Sequence, residues 1–329
     1  MNTHNSRSGQ FFIVGGAGFI GSHFIDRLLA EHSVSKLTVY DNFSSGREWH
    51  YESHLPDPRF RVVRGDVQDL ELLTATMQGH DVIIHLASNP DIARAASEPD
   101  IDFRQGTYLT NNVLEAMRRS GVTRILYASG SGIYGDLGNQ EAHENYGPLI
   151  PISTYGASKL AGEALIAAYC HMFDFRGRVF RFGNVVGPRQ THGVGFDFLR
   201  QLLANPRKLR ILGDGTQSKS YIHVRDVIEA VLLAGRDLKP GFLAYNVATG
   251  DYITVTQIAN LAAECAGLDP GKIEFEYAGG TRGWKGDVPI VRLNTSRIRA
   301  LGWICSAGSG QAIRESMLAM LPDLKAGRL

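Results

Sequence analysis

The chain reads Phe11-Phe-Ile-Val-Gly-Gly-Ala-Gly-Phe-Ile-Gly21 near its N-terminus, an apolar run followed at once by closely spaced glycines. The apolar run predicts a buried strand, and the glycines allow a tight turn into a helix whose N-terminus can face a pyrophosphate. Asp41 ends the second predicted strand about 20 residues further on, where a carboxylate accepts hydrogen bonds from both ribose hydroxyls of NAD and repels the 2′-phosphate of NADP. The order of strand, glycine turn, helix and acid predicts a dinucleotide site that favours NAD.

Further short apolar runs alternate with stretches of helical periodicity along the 329-residue chain. Their apolar residues are continuous, which indicates strands buried on both faces of a parallel sheet covered by helices. The predicted strands are residues 11–14, 37–40, 60–63, 82–86, 124–128, 179–182 and 244–247, and helices are predicted at 196–204, 224–233 and 254–266. This pattern predicts an α/β fold with a doubly wound parallel sheet of the Rossmann type.

We predict two domains. Residues 9–184 and 223–247 form the NAD-binding Rossmann domain, and residues 185–222 and 248–329 form a smaller mixed α/β lobe for the substrate. The smaller lobe is expected to fold over the carboxyl ends of the strands, where ligands bind in open α/β sheets.

Composition excludes several classes of protein. The formal net charge is +1 without a basic block, so nucleic acid is not an expected partner. Cys170, Cys265 and Cys305 are far apart and indicate neither a zinc site nor a disulfide framework. Residues 1–10 form a short polar tail without an apolar signal core, and no apolar run approaches the roughly 20 residues that span a bilayer. We expect a cytoplasmic protein with no membrane contact and no metal site.

A second motif, Tyr155-Gly-Ala-Ser-Lys159, places a tyrosine and a lysine four residues apart on a predicted helix. Side chains at this spacing share one face, where an ammonium can stabilise a phenolate and make tyrosine usable as a base near neutral pH. Such a pair alone is more often a solvated helix face. Its context, the glycine turn and the hydroxyl-rich strand end Ser129-Gly-Ser131, indicates a catalytic pair.

Together these segments resemble the extended short-chain dehydrogenase/reductases, and within them the NAD-dependent nucleotide-sugar epimerases and dehydratases. The resemblance covers nearly the whole chain and is closest to the UDP-glucose 4-epimerase-like branch. Its other segments are Asp41-Asn-Phe-Ser-Ser-Gly46, His85-Leu-Ala-Ser88, Asn112-Val-Leu-Glu-Ala116, Arg181-Phe-Gly-Asn-Val-Val-Gly-Pro188, Gly213-Asp-Gly215, Lys219-Ser-Tyr-Ile-His-Val224 and Arg282-Gly-Trp-Lys-Gly-Asp-Val288.

The resemblance implies the residues that contact NAD. They belong to the glycine turn, the loop after the second strand, the ends of the third and fourth strands, and the Tyr/Lys helix. The implied cofactor residues are Gly15, Gly18, Phe19, Ile20, Gly21, Asp41, Asn42, Ser44, Ser45, Gly46, Asp66, Val67, Leu86, Ala87, Ser88, Tyr155, Lys159 and Phe182.

The resemblance also implies catalytic roles. Tyr155 is the expected base, with its pKa lowered by Lys159 and by the positive nicotinamide ring, and Lys159 is expected to hold the nicotinamide ribose as well. A serine or threonine is usual at the position of Gly130, so the catalytic hydroxyl is Ser129 or Ser131. We favour Ser129 and keep Ser131 as the second choice.

Six residues are implied in substrate binding: Ser129, Asn184, Arg189, Thr191, Lys219 and Arg282. Lys219 and Arg282 suit the diphosphate of a UDP-sugar by charge and donor geometry. Arg189 or Thr191 is placed by the resemblance near the sugar C6 group. This leaves UDP-glucuronate open as a substrate beside UDP-glucose and UDP-galactose.

The predicted reaction is epimerisation at C4 through a transient 4-keto sugar. Relatives that dehydrate or decarboxylate carry an acidic residue in the strand-end motif, where this chain has Ser131 and Gly132. A dehydratase or decarboxylase is the alternative, and a non-catalytic NAD-binding protein on the same fold is a third reading. By family analogy we expect a homodimer formed through the Tyr/Lys helix and the helix near residues 112–118.

Overall fold

The computed structural model describes residues 9–89, 91–237 and 239–328. Most of the predicted polar tail, residues 1–8, lies outside the described residues. The strands are β1 (Gly9–Val14), β2 (Val34–Asp41), β3 (Phe60–Arg64), β4 (Val82–His85), β5 (Arg124–Gly130), β6 (Arg176–Phe182), β7 (Asn184–Val186), β8 (Lys208–Ile211), β9 (Ser218–Lys219), β10 (Tyr221–His223), β11 (Gly241–Val247), β12 (Ile253–Thr254) and β13 (Glu274–Tyr277).

The helices connect and cover these strands. They are α1 (Phe19–Leu29), α2 (Leu70–Met77), α3 (Tyr108–Ser120), α4 (Thr154–Met172), α5 (Val194–Ala204), α6 (Val224–Gly235), α7 (Val255–Cys265), α8 (Ser296–Arg299) and α9 (Ser309–Lys325). A π-helical turn, Phe103–Thr107, leads into α3, and a 3-10 turn, Ser131–Tyr134, follows β5.

Seven strands form one sheet in the order β11-β6-β5-β4-β1-β2-β3. The pairs β1 with β2, β1 with β4, β2 with β3 and β4 with β5 are parallel. The chain crosses over between β3 and β4, which lie on opposite sides of β1, as in a doubly wound sheet. The predicted Rossmann-type α/β fold is confirmed.

The observed boundaries differ by a few residues from most of the predicted ones, and the structure explains two of the differences. β4 ends at His85 and not at Leu86, because the amides of Leu86 and Ala87 both donate to the carbonyl oxygen of Val14, at 2.9 and 3.1 Å, and turn the chain out of the strand. The helix predicted at residues 254–266 begins at Val255, since Thr254 is its N-cap in a capping box with Gln257.

The described chain divides into two compact units. The first contains residues up to Ser129 with Ser158–Phe180 and Gly235–Ala244, and the second contains Gly130–Ala157, Arg181–Ala234 and the chain from Tyr245 onward. Residues 130–157 thus group with the second unit, whereas the predicted division places them in the NAD-binding domain. The predicted division groups residues by the ligand that each domain is expected to bind, NAD for 9–184 with 223–247 and the substrate for 185–222 with 248–329. It stays a prediction.

Each unit has its own apolar core. In the first unit, α2, α3 and α4 pack on strands of the sheet, with buried side chains such as Met77, Met117 and Ile166 against Ile83 and Ile125. Each fully buried aliphatic side chain contributes roughly 1.5–3 kcal/mol to folding. In the second unit, α5, α7 and α9 enclose residues of β8, β10 and β12. These cores hold the strand ends and helix termini that carry the candidate site.

Among the described residues, no helix has both the length and the apolar character needed to cross a membrane. Within the same residues, no group of three or more His, Cys, Asp and Glu side chains is arranged to hold a metal ion.

Candidate active site

The glycine turn between β1 and α1 is shaped by close backbone approaches. Gly15 has φ +77°, and a Cβ at this position would lie 2.7 Å from the amide nitrogen of Ala87. A Cβ on Gly21 would lie 2.4 Å from the carbonyl oxygen of Gly16. These two positions therefore require glycine for packing.

Gly18 differs from these two glycines, because its outer side is open. The nearest atom to a Cβ built on Gly18 is the Gly15 carbonyl oxygen, at 3.7 Å. Gly18 is also the N-cap of α1, and no side chain caps this helix terminus. Amide groups at an uncapped helix N-terminus attract anions, so the turn fits the pyrophosphate of a dinucleotide.

Asp41, the last residue of β2, is tied to the glycine turn. Its carboxylate accepts hydrogen bonds from the amides of Ala17 at 2.9 Å and Phe43 at 2.8 Å. Burial raises the pKa of Asp41, and the two amide hydrogen bonds oppose that rise. A Cβ on Gly46 would lie 2.7 Å from the Cβ of Ala17 and 3.1 Å from Asp41 Oδ1, so Gly46 lets its loop close against the carboxylate.

The loops after β2 and β3 meet beside Asp41. Asn42 Nδ2 donates to Asp66 Oδ2 at 3.1 Å, and Asn42 Oδ1 accepts from the amide of Ser44 at 3.0 Å. The carbonyl oxygen of Val67 accepts from Asn112 Nδ2 at 3.1 Å. Hydrogen bonds thus join three of the predicted cofactor residues, Asn42, Ser44 and Asp66.

The remaining predicted cofactor residues lie in the first turn of α1, in the segments after β2 and β4, and at the end of β6. Phe19 and Ile20 are in the first turn of α1, Ser45 is in the loop after β2, and Ser88 follows β4. Phe182 ends β6 and is buried.

Lys159 on α4 is buried and anchored at the end of β5. Its Nζ donates to the carbonyl oxygen of Ala128 at 2.8 Å and lies 5.2 Å from the centroid of the Tyr127 ring. Burial lowers the pKa of Lys159 to about 8, against the opposing charges of Asp102 and Glu163. An amine with this pKa is largely protonated at neutral pH and can act as a positive charge.

Ser129 is the residue that we favoured from the sequence as the catalytic hydroxyl. In the structure it has a hydrogen-bond partner, Glu163, to which the sequence assigned no role. Its Oγ donates to Glu163 Oε1 at 2.6 Å, and the side chains of Ser129 and Glu163 are only 4% and 3% exposed. The hydroxyl proton of Ser129 is therefore engaged in a hydrogen bond to the buried carboxylate of Glu163.

Ser131 and Tyr155 lie in the second unit, in segments that touch. A Cβ on Gly156 would lie 2.6 Å from the carbonyl oxygen of Gly132, so the 3-10 turn that begins at Ser131 packs directly on the first turn of α4. The residue after Ser131 thus contacts the residue after Tyr155. Both Ser131 and Tyr155 are half-buried. Tyr155 precedes Lys159 by one turn of α4.

Lys219 and Arg282, the two cations predicted to hold the diphosphate, converge on Asp287. Lys219 Nζ lies 2.5 Å from Asp287 Oδ1, and Arg282 Nη1 donates to the backbone oxygen of Asp287 at 2.8 Å. Arg282 Nη2 also donates to Asp136 Oδ2 at 2.7 Å. The structure brings this predicted pair together and surrounds it with carboxylates.

The other predicted substrate residues lie on β7 and in the loop that follows it. Asn184 begins β7, and its Nδ2 donates to the carbonyl oxygen of Ser220 at 3.2 Å. Arg189 and Thr191 lie between β7 and α5, and Arg189 has the left-handed φ of +65°.

Sequence reasoning assigned no role to Glu163, Asp102 or Asp287. Glu163 follows Lys159 by four residues, so the i, i+4 spacing was a usable signal. Gly106, in the π-helical turn before α3, is required for packing: a Cβ there would lie 2.1 Å from Ser158 Oγ. Glycine at this position lets the π-helical turn pack on the residue next to Lys159.

Comparisons with known proteins identify the relatives of this chain. The sequence model of the NAD dependent epimerase/dehydratase family matches residues 11–248. A UDP-glucose 4-epimerase of Mycolicibacterium smegmatis is 34% identical over 300 residues, covering 88% of this chain and 92% of that protein. A dTDP-glucose 4,6-dehydratase of Streptomyces griseus is 30% identical over 281 residues, covering 84% of this chain and 82% of the dehydratase.

Solved structures show the same relation. A crystal structure of a UDP-galactose 4-epimerase superposes with a TM-score of 0.85 at 35% identity, over 96% of this chain and 99% of that one. The match of fold and sequence extends over both compact units. The chain therefore belongs to the NAD-dependent epimerase/dehydratase family, and its cofactor is NAD.

Proposed function

We propose that this enzyme is a UDP-sugar 4-epimerase that acts on UDP-glucose and UDP-galactose or on UDP-glucuronate and UDP-galacturonate. The observation that carries the proposal is the buried Lys159 ammonium, which is anchored to Ala128 and follows Tyr155 by one turn of α4. The sequence of the Ser131–Tyr134 turn contains no carboxylate. The similarity to UDP-glucose 4-epimerases supports it. The similarity to a dTDP-glucose 4,6-dehydratase keeps dehydration as the competing reaction.

The chain's own residues divide the work of binding NAD. The Gly15–Gly21 turn would hold the pyrophosphate, Asp41 the adenosine ribose, and Lys159 the nicotinamide ribose. Bound NAD supplies a reversible acceptor for the hydride of the sugar C4, so the sugar passes through a 4-keto form.

Tyr155 moves the proton. As a phenolate it takes the proton of the 4-hydroxyl group, and as a phenol it returns the proton after the keto sugar has turned over. The ammonium of Lys159 stabilises the phenolate from one helical turn away. Lys219 and Arg282 would hold the diphosphate, which fixes the nucleotide end while the hexose rotates.

Ser131 is our proposed catalytic hydroxyl, because the hydroxyl of Ser129 is buried against Glu163. Ser131→Ala is expected to lower kcat by about 10²-fold, the lower end of the range for a group that assists proton transfer. Ser129→Ala, the matched control, is expected to lose less than about tenfold, since it removes one buried hydrogen bond. Initial rates at saturating substrate measure both. Full activity of Ser131→Ala together with inactivity of Ser129→Ala would return the role to Ser129.

The cofactor preference provides a second prediction. Asp41→Asn keeps the size of the side chain and removes the charge that disfavours a 2′-phosphate. We expect the ratio of NAD to NADP affinity to fall by about tenfold, or about 1.4 kcal/mol. Calorimetric titration of cofactor-stripped protein with each dinucleotide measures the ratio. An unchanged ratio would show that Asp41 does not face the ribose.

A homodimer is also part of the proposal. Large apolar side chains are exposed in and beside α3 and α4, the helices that family analogy places at the interface; they are Phe103, Tyr108, Met172 and Phe173. Exposed large apolar side chains on a helix surface are typical of a contact between subunits. A solution mass near twice the chain mass of 36.0 kDa would support the dimer.

The reaction is tested by incubating the enzyme with UDP-glucose, UDP-galactose, UDP-glucuronate and their acetamido forms, and by reading C4 stereochemistry with NMR. The proposal predicts an equilibrium mixture of C4 epimers from at least one of these sugars. A 4-keto-6-deoxy product would identify a dehydratase, and a pentose product a decarboxylase. NAD-loaded protein that converts none of them would point to a non-catalytic role.

A further inference from the structure

Three ionisable side chains are buried together in the first unit around the end of β5. Asp102, Lys159 and Glu163 are 1%, 4% and 3% exposed. Charged side chains are almost never buried to this extent unless they are paired, because each loses its hydration. The proposed mechanism uses only Lys159, so the two carboxylates need their own account.

Glu163 and Lys159 are attached to adjacent residues of the strand. Lys159 Nζ donates to the carbonyl oxygen of Ala128 at 2.8 Å, and Glu163 Oε1 accepts from Ser129 Oγ at 2.6 Å. The two side chains come from successive turns of α4 and end at successive positions of β5. This double attachment keeps a carboxylate near the ammonium in a water-poor environment, where charge interactions are strong.

Asp102 approaches Lys159 from the segment before the π-helical turn. Its carbonyl oxygen accepts from Ser158 Oγ at 2.7 Å, which places Asp102 against the residue before Lys159. Its Oδ1 accepts from Asn89 Nδ2 at 2.9 Å. The negative charges of Asp102 and Glu163 both act on Lys159, and Asp102 has the larger effect of the two.

The elements around Lys159 carry three other titratable side chains. His85 on β4 is fully buried, and its burial, with the charge of Lys159, lowers the pKa of the imidazole to about 3. Tyr127 on β5 presents its ring face to the ammonium. Tyr155 precedes Lys159 on α4. Asp102 and Glu163 are the carboxylates whose charges raise the pKa of Lys159 against the effect of burial.

We propose that Glu163 is a positioning residue of the enzyme: its buried carboxylate, oriented by Ser129 next to the Ala128 carbonyl that anchors Lys159, favours the charged form of Lys159, which serves Tyr155. The inference rests on the proposed function for its catalytic meaning. Its physical content, the coupling between Glu163 and Lys159, does not depend on which sugar is the substrate.

The direction of the pH effect follows from the charges. Burial favours the neutral amine and lowers the pKa of Lys159, whereas the neighbouring carboxylates favour the ammonium. Removal of the Glu163 charge leaves burial less opposed, so the pKa of Lys159 falls. The ammonium is then lost at a lower pH, and the alkaline limb of the pH profile moves toward neutrality.

Glu163→Gln tests the inference, because it keeps the shape and an acceptor for Ser129 while it removes the charge. The readout is the NMR titration of lysine ¹³Cε in the NAD-loaded full chain, with the Lys159 signal identified by its loss in Lys159→Met. We expect the Lys159 midpoint to fall by about one pH unit, a tenfold loss of proton affinity. Glu264→Gln is the matched control: it removes the charge of a glutamate that is paired with Arg314 and is expected to leave the Lys159 midpoint within about 0.3 unit of the native value.

Kinetics provide a second readout that a purely structural role would not produce. In Glu163→Gln the alkaline limb of kcat is expected to shift by the same amount as the NMR midpoint, while KM for the UDP-sugar stays within about twofold. If Glu163→Gln does not fold, the inference is tested in the native enzyme by the chemical shift of the Glu163 carboxyl ¹³C, which reports whether this group is ionised. The inference requires this carboxyl to be ionised throughout the pH range of activity.

An unchanged Lys159 midpoint in folded Glu163→Gln, or a protonated Glu163 in the active native enzyme, would overturn the inference. Neither result bears on whether the enzyme is an epimerase. Conversely, failure of every UDP-sugar in the activity panel would refute the proposed function and leave the titration result standing.

Discussion

Tyr155→Phe is expected to lower kcat by about 10³- to 10⁴-fold, the upper part of the range for a positioned acid or base. The change removes only the phenolic oxygen, so the ring keeps its packing in the first turn of α4. NAD is expected to remain bound, because its proposed contacts are made mainly by the glycine turn, Asp41 and Lys159. NMR of the products measures turnover, and absorbance after denaturation measures the bound cofactor.

Tyr277→Phe is the matched control for this prediction. Tyr277 is an exposed tyrosine at the end of β13 and has no part in the proposed chemistry. Its loss of a phenol oxygen is expected to leave kcat within about twofold, as for most exposed substitutions. If the Tyr155→Phe enzyme turned over substrate near the native rate, Tyr155 would not be the base.

Lys159→Met is expected to produce the second large effect, a loss of about 10²- to 10³-fold in kcat at neutral pH. Methionine preserves much of the apolar stem but removes the ammonium that stabilises the Tyr155 phenolate. The phenol then ionises only at higher pH, so the acid limb of the pH profile moves upward. The variant also leaves Asp102 and Glu163 buried without their counter-charge, which is expected to lower Tm.

The pH profile and Tm together separate these two consequences of Lys159→Met. Lys325→Met, at the end of α9, is the control for loss of a lysine charge outside the site and is expected to change neither. An acid limb that stays at its native position, in a folded Lys159→Met enzyme with reduced activity, would show that Lys159 does not tune Tyr155.

Local patterns were sufficient to predict the fold and to name candidate site residues. The apolar runs of β1, β2 and β4 are continuous because both faces of these strands are covered, and that burial is visible in the sequence. The glycine turn and the Tyr155/Lys159 pair are likewise short motifs whose meaning depends on spacing along one element. Such features need no knowledge of distant contacts.

Contacts between distant segments could not be predicted in this way. The hydrogen bond from Ser129 to Glu163 joins residues 34 apart, and the bond from Arg282 to Asp136 joins residues 146 apart. The spacing of Glu163 from Lys159 indicates that the two share a helix face, but nothing in the local sequence names Ser129 as a partner of Glu163 or Arg282 as a partner of Asp136. Only the packing of α4 on β5, and of the second unit's loops on one another, gives them their partners.

The surroundings of Ser129 and Ser131 could not be predicted from the local sequence either, although the two residues are only two positions apart. Residues two apart share a face only while a strand continues. β5 ends at Gly130, and Ser131 opens a 3-10 turn, so the two hydroxyls enter different surroundings. Ser129 is buried against Glu163, whereas Ser131 lies half-buried next to the first turn of α4. The end of β5 thus gives the two hydroxyls different surroundings, which the local sequence does not show.

The central claim is that Tyr155 and Lys159 support removal and return of hydrogen at a single sugar carbon. The most direct measurement follows deuterium placed at C4 of the UDP-sugar that the activity panel identifies. The account predicts that the C4 epimer forms with deuterium still at C4. Deuterium found at C6 of a 4-keto-6-deoxy product, or lost to water, would contradict it.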